Sequence, residues 1–322
     1  MFIARFDLRA PGATGPTRAA LHRSAVDMAR FVDEHGCASL VVSEHHASDD
    51  GYLPAPFQLA AAMAAATRVT PIVLALTILP LHDPVRLAED IITLDHLSEG
   101  RAMVVLGLGY RPVEYELFGV DFRRRAAVAD EKLARLLELL DAADAATDDV
   151  RVTPSPYTSP RPLLAWGGGS VAAATRAGRH GIGFFGQNDD PALQAAYEEA
   201  SLAAGHAPGL CVLPSPAAPF SVFVADDLDR AWEEVGPSLL VDAVAYHRWN
   251  AEAGTADTTA SVSSASTVEE LRRAEGAHRV VTPDGARAIV AEHGLLALHP
   301  LCGGVDPETA WPYLRRAVAA AT

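Results

Sequence analysis

The chain has 322 residues, 49% of them hydrophobic, which is enough for one large α/β barrel or two ordinary domains. Its 26 basic residues against 41 acidic ones leave a formal charge of −15, so a phosphate backbone or an anionic membrane surface is excluded as a partner. No stretch approaches the roughly 20 apolar residues of a membrane span and no basic start leads into an apolar run, so the expectation is a cytoplasmic protein with no membrane association.

Phe2 to Leu8 reads as a first strand, with Phe2, Ala4, Phe6 and Leu8 alternating against Ile3, Arg5 and Asp7. Leu21, Ala25, Met28 and Val32 recur at helical spacing until Gly36. A second strand, Ser39 to Val42, breaks off at Ser43-Glu44-His45-His46. The loop Ala47 to Pro56, with Asp49-Asp50-Gly51 and two prolines, forms a turn-rich rim. A helix from Phe57 to Thr67 leads to strand three, Pro71 to Leu79. Asp83-Pro84 then gives a helix start, with Asp as cap and Pro where its missing N–H costs nothing. Strand four, Ala102 to Leu108, runs into Gly109-Tyr110-Arg111, and a long helix between Arg123 and Asp144 carries Val128, Leu133, Leu136, Leu137 and Leu140 on one side.

Thr147 to Pro162 is an excursion before strand five, Leu163 to Trp166, which opens into Gly167-Gly168-Gly169-Ser170 and a helix from Val171. Strand six is expected at Gly181 to Phe185, strand seven at Phe220 to Val224 and strand eight at Leu295 to His299. Between the last two, Ala251 to Ser266 is nearly devoid of large apolar groups and is expected to be a mobile lid or loop. Thr267 with Glu270 restarts a helix as a capping box. Eight strands with helices between them count to a (β/α)8 TIM barrel over residues 1–322 as a single domain, with a mobile insertion before strand eight. A doubly wound sheet is the alternative. In the barrel the chemistry lies at the C-terminal strand ends.

Three constellations stand at such ends. In Glu44-His45-His46, neighbouring side chains point to opposite sides, so one histidine at most faces the barrel mouth. An imidazole there can serve as general base, although a structural histidine and a metal ligand are the other readings. At Gly168-Gly169-Ser170 the backbone can approach a ligand, and Ser170 as N-cap stands beside N–H groups that favour an anion. The other reading is a tight strand-to-helix turn. Arg176 and Arg179 on the following helix either complement that anion or face solvent. Gly107-Leu108-Gly109 is too short for a dinucleotide fingerprint but suits a flat ring across strand four. Cys37, Cys211 and Cys302, odd in number and far apart, read as reduced small hydrophobes rather than as disulfides or a zinc cluster.

Taken in order, EHH after strand two, LP-x-HDPVRLAED-x-x-x-LD-x-LSEGR, G-x-GYRPVEYELFG and W-GGGS-x-x-A-x-x-RAGR resemble the bacterial luciferase-like flavin monooxygenase family, strongly from Met1 to Phe185 and more loosely at HPLCGG. The resemblance implies a (β/α)8 barrel and an oxidoreductase using reduced FMN and O2 on a small organic substrate. It makes His45 the catalytic histidine and places a non-proline cis peptide at Ala75-Leu76 beneath the flavin ring. Gly168, Gly169 and Ser170 become the phosphate loop, with Leu108, Gly109, Tyr110 and Arg111 lining the cofactor pocket. It further implies a homodimer and a separate flavin reductase as partner. Two positions depart. Leu108 stands where luciferase has a phosphate-binding arginine, and Ala173 where it has a threonine, which argues against light emission and passes the phosphate to Arg111 or to backbone. Coenzyme F420-dependent hydride transfer is the nearest alternative, and a flavin-binding module without turnover or a metal-dependent hydrolase using His45, His46 and Asp49 are the rivals from other classes. EHH favours FMN.

Overall fold

The computed structural model describes residues 1–13, 15–142, 151–254 and 263–322. In chain order the strands are β1 Phe2–Phe6, β2 Ser39–Val42, β3 Ile72–Ile78, β4 Ala102–Gly107, β5 Leu163–Gly167, β6 Gly183–Phe185, β7 Cys211–Val212, β8 Ser221–Val224, β9 His278–Val281 and β10 Leu296–Leu298. The helices are α1 Pro16–Asp33, α2 Pro56–Ala66, α3 Pro84–Ser98, α4 Pro112–Leu117, α5 Arg125–Ala142, α6 Val171–Arg179, α7 Pro191–Ala203, α8 Leu228–Ala253, α9 Val268–Ala274, α10 Pro283–His293 and α11 Pro307–Ala321.

Four helix starts follow one recipe. Asp83, Asp190 and Asp306 each accept a backbone N–H of the first turn through the side chain, and each precedes a proline whose missing donor would have gone unpaired anyway. Thr282 does the same ahead of Pro283. Thr267 accepts the Glu270 N–H, and the Glu270 carboxylate reaches back to the N–H and hydroxyl of Ser266, so the expected capping box forms one residue wider than its simplest version.

The chain divides into two compact units, residues 1–54, 66–70 and 215–322 in one, and 55–65 and 71–214 in the other. In the first, five parallel strands lie in the order β2-β1-β10-β8-β9, with Ile3 beside Ser39 and Phe2 beside Leu296. Helix α1 buries Leu21, Ala25, Met28 and Val32, one stripe of its surface. Its last residue, Asp33, accepts the N–H groups of Arg68, Val69 and Thr70 at 2.8, 3.1 and 2.7 Å, tying down a turn that leaves three donors together. In the second unit the order is β7-β6-β5-β4-β3, all parallel, and Lys132 on α5 donates to the carbonyls of Pro80 and His82 at 2.6 and 2.7 Å.

Parallel strands alternating with helices agree with the expected α/β class, and the differences are local. Among the described residues ten strands stand where eight were expected. Cys211–Val212 is only two residues long, and His278–Val281 reads HRVV, too polar to register as an apolar run. β8 pairs with both β10 and β9, so spatial order departs from sequence order there. Residues 251–253 of the expected lid belong to α8, which ends at Gly254 in the left-handed conformation that glycine adopts without penalty. Residues 255–262 of that stretch lie outside the described residues. No helix among the described residues is long and apolar enough to cross a membrane.

Candidate active site

The first unit carries a buried ionic cluster. β1 and the residues after it place Arg5, Asp7 and Arg9 at every second position, and all three are buried. Arg9 donates from Nε to Asp7 at 3.2 Å and from Nη1 to Asp50 at 3.1 Å, while its Nε lies 3.3 Å from Asp242 Oδ1. The other Asp242 oxygen is 2.7 Å from His278 Nε2. His299 stands between Ser221, at 3.2 Å from its Nδ1, and Asp7, at 3.4 Å from its Nε2. Burial by itself would raise the Asp7 and Asp242 carboxyls, yet both are held below the ordinary carboxylate range: His299 and Arg9 outweigh it at Asp7, Arg9 and His278 at Asp242. Burial likewise opposes the Arg9 charge, and Asp242 and Asp7 more than restore it.

His45 lies on the aromatic side of this cluster. Its ring meets Tyr52 edge-on, with centroids 4.8 Å apart, and lies 4.8 Å from Trp249 and 6.2 Å from Tyr246. The Tyr52 and Tyr246 hydroxyls are 3.0 Å apart, and burial pushes both phenols up, Tyr246 to about 12. The His46 Nε2 lies 2.7 Å from the Glu44 carboxylate, so the two adjacent imidazoles have different neighbours. The loop behind His45 is fixed at its backbone. The His45 N–H donates to the Leu53 carbonyl, the Leu53 N–H to Asp7 and the Ala10 N–H to Asp50. Arg18 clasps it from outside, donating to the carbonyls of Ala10, Ala13, Asp50 and Gly51.

Asp242, His299 and Cys302 place one ligand atom each within 4.8 Å of one another, the geometry of a possible cation site. The donor set does not suit a metal. His278 engages one Asp242 oxygen, the Arg9 cation lies 3.3 Å from the other and would repel a metal ion there, and burial pushes the Cys302 thiol up, away from the thiolate a metal needs. Among the expected rival ligands His46 is engaged with Glu44. Nothing in the sequence spacing pointed to Arg9, Asp242, His278 or His299, because they come from four separate segments. The one available signal was the polar series Arg5-Asp7-Arg9 inside an otherwise apolar strand.

In the second unit the backbone becomes accessible just past β4 and β5, and β3 has a half-buried pair in mid-strand before its end closes again at Thr77 and Ile78. Ala75 and Leu76 are the only half-buried residues of β3, and the peptide between them is cis. Leu108, Gly109 and Tyr110 follow β4, half-buried, and Gly168, Gly169 and Ser170 follow β5 with rising exposure. The Leu76 side chain covers two glycines: a Cβ on Gly107 would come within 2.7 Å of Leu76 Cδ2, and one on Gly167 within 3.3 Å. A Cβ on Gly169 would meet Gln187 at 2.6 Å. Ser170 caps α6, accepting the Ala173 N–H at 3.3 Å, and the Thr77 hydroxyl on β3 is buried with no hydrogen-bond partner among the described residues.

Three arginines were candidates for the anion. Arg111 is buried, with Nη1 3.3 Å from the Glu114 carboxylate, so its charge is countered within α4. Arg176 sits in the last turn of α6, bound to Asp130 at 2.5 and 3.2 Å and lying 4.9 Å over Trp166, whereas the anion-favouring N–H groups are at the other end of that helix. Arg179 is exposed.

The family model described as luciferase-like monooxygenase matches residues 3–294. The chain belongs to that family. Among luciferase-like relatives, the 4-hydroxyprotoasukamycin monooxygenase of Streptomyces nodosus subsp. asukaensis is 32% identical over 115 residues, 35% of this chain and 31% of that one. Such matches span 31–39% of the length of the first curated relatives. Solved structures match far more of the chain. Monooxygenase RslO1 from Streptomyces bottropensis superimposes with a TM-score of 0.76 at 22% identity, covering 99% of this chain and 97% of that one. The oxygenating constituent of 3,6-diketocamphane monooxygenase from Pseudomonas putida, solved with FMN, gives 0.70 at 19% identity, covering 98% and 96%. An F420-dependent secondary alcohol dehydrogenase gives 0.59 at 16% identity, covering 96% of each chain. These likenesses establish the fold of the luciferase-like family, a parallel-strand α/β fold of the TIM-barrel type.

Proposed function

We propose that the chain is a flavin-dependent monooxygenase that uses reduced FMN and O2 on a small organic substrate. The observation that carries this reading is the accessible backbone past β4 at Leu108 to Tyr110 and past β5 at Gly168 to Ser170, beside the half-buried pair Ala75-Leu76 of β3, in a chain of the luciferase-like family. These residues fit a flavin: glycines that a Cβ would obstruct, a half-buried apolar ledge, and a capped helix N-terminus for a phosphate.

Bound there, reduced flavin supplies the electrons and activates oxygen. Gly169 and Ser170 would hold its phosphate at the α6 N-terminus, with the dipole of that helix favouring the anion, while Gly168, whose N–H donates to the Phe185 carbonyl at 3.0 Å, would shape the turn. Ala75 and Leu76 back the ring, and Leu108, Gly109 and Tyr110 line the pocket. Arg111, neutralised by Glu114, shapes that lining rather than gripping the phosphate. His45 accepts a proton from the substrate through its imidazole, its ring angle set by Tyr52 and Trp249. A cytoplasmic homodimer supplied by a separate flavin reductase completes the proposal.

Titrating the purified protein with FMN and with coenzyme F420 tests it. Micromolar binding of FMN is expected, and binding of F420 without FMN overturns the cofactor assignment. His45→Ala should leave FMN affinity within about twofold and lower reduced-flavin-dependent product formation by about 100-fold or more, the usual worth of a general base. Product formation unchanged by that substitution removes His45 from the chemistry, and none in the wild type leaves a flavin-binding module.

A further inference from the structure

We propose that Arg9 is the positioning residue for the His45 imidazole, acting through the rings of Tyr52, Tyr246 and Trp249. The Arg9 guanidinium carbon lies 4.8, 4.9 and 5.0 Å from the centroids of those rings, and the same three rings surround His45. Arg9 Nη2 has no hydrogen-bond acceptor among the described residues, in keeping with a guanidinium satisfied partly by ring faces. The cation and the imidazole therefore share the same three aromatic neighbours.

The geometry is over-determined from several directions. Asp242, Tyr246 and Trp249 stand on one face of α8 at i, i+4 and i+7, so the ion pair between Arg9 and Asp242 fixes the rotation at which α8 presents both rings. Asp50 and Tyr52 come from the loop that also carries His45, so the bond from Arg9 to Asp50 sets the near wall. Asp7 aligns the guanidinium itself through Nε and the Arg9 backbone N–H. A fork with several fixed donors and a flat face can serve all of these partners at once, and an ammonium point charge cannot. Buried charge networks are poor devices for stability alone, since apolar replacements of equal volume often do as well. Holding a particular ring arrangement is a use that apolar packing does not supply.

The inference rests on the reading of His45 as proton acceptor in its kinetic arm, and its structural arm is independent of flavin. In the protein without cofactor, carbethoxylation of each histidine by diethyl pyrocarbonate is followed by peptide mass spectrometry, with exposed His22 as reference. In the wild type His45 should react at least tenfold more slowly than His22. Arg9→Met and Trp249→Leu should bring it within about threefold, with Arg9→Lys in between. Trp249→Leu changes no charge, so it decides the matter if the Arg9 variants fail to fold. With reduced flavin, Trp249→Leu and Arg9→Lys should lower kcat by about tenfold or more and leave flavin affinity within twofold. A Trp249→Leu protein in which His45 stays protected overturns the proposal. So does one in which buried His278 opens in parallel, because that is general loosening. Absence of turnover in every protein, wild type included, removes the monooxygenase reading and leaves the labelling result to decide the role of Arg9.

Discussion

At the scale of single residues, glycine positions give the sharpest expectations. Gly107→Ala puts a methyl group against the end of the Leu76 side chain, which can rotate away, so the protein should fold while Leu76 is pushed off its seat. FMN affinity should fall about tenfold, read by flavin fluorescence, with the melting temperature nearly unchanged. Thiol labelling offers a second check. Burial pushes all three thiols up, Cys37 to about 12, but Cys211 alone of the three is half-buried rather than buried, so iodoacetamide should modify Cys211 first. Residues of this kind differed in how readable they were. Glu44-His45-His46 announced itself because three adjacent titratable groups just past a strand are unusual. Arg9 did not, because its meaning comes from Asp50, Asp242 and three rings that only folding assembles.

At the scale of elements, the caps were legible because each is a local bargain between a side chain and the next turn. Asp83→Ala removes two accepted N–H bonds at the start of α3 and should cost about 1 kcal/mol in chemical denaturation. Ser170→Ala should cost a similar amount at α6 and weaken FMN binding as well. Equal affinity for wild type and variant would move the phosphate elsewhere. The long apolar runs were legible for the same local reason, and their boundaries fell within a residue or two at α2, α5 and β10. β7 and β9 were not, since two residues of Cys-Val and the mixed HRVV owe their extended form to parallel neighbours rather than to their own pattern. Residues 251–253 extended α8 for a related reason: Trp249 and Asn250 are buried, and the helix continues past them to Gly254.

At the scale of the whole molecule, acid should act through a few buried carboxylates rather than through the −15 surface. Asp7, Asp33 and Asp242 all lie below their ordinary value of 3.8 when folded, although burial opposes each; His299, Arg9, His278 and the Thr70 side chain and neighbouring backbone N–H groups reverse it. A depressed carboxylate adds stability above its unfolded pKa and loses it as the pH falls towards the folded one. Melting temperature should therefore hold from pH 7 to about 5 and drop steeply below about 4. Asp242→Asn should flatten that drop and lower stability at pH 7 by roughly 3 kcal/mol or more, because it leaves Arg9 and His278 with a weakened partner.

The way the first unit is assembled from both halves of the chain bears on how the protein is made. Asp7, Arg9 and Asp50 leave the ribosome early, but Asp242, His278 and His299 are translated only after the whole of residues 71–214. For most of synthesis the nascent chain holds a guanidinium with two of its acids and none of the α8 rings, while the second unit already has its own five strands. Premature stop codons after residue 214 should thus yield a product whose Tyr52 loop is cut readily by protease, and in which resistance returns only when codons through His299 are restored.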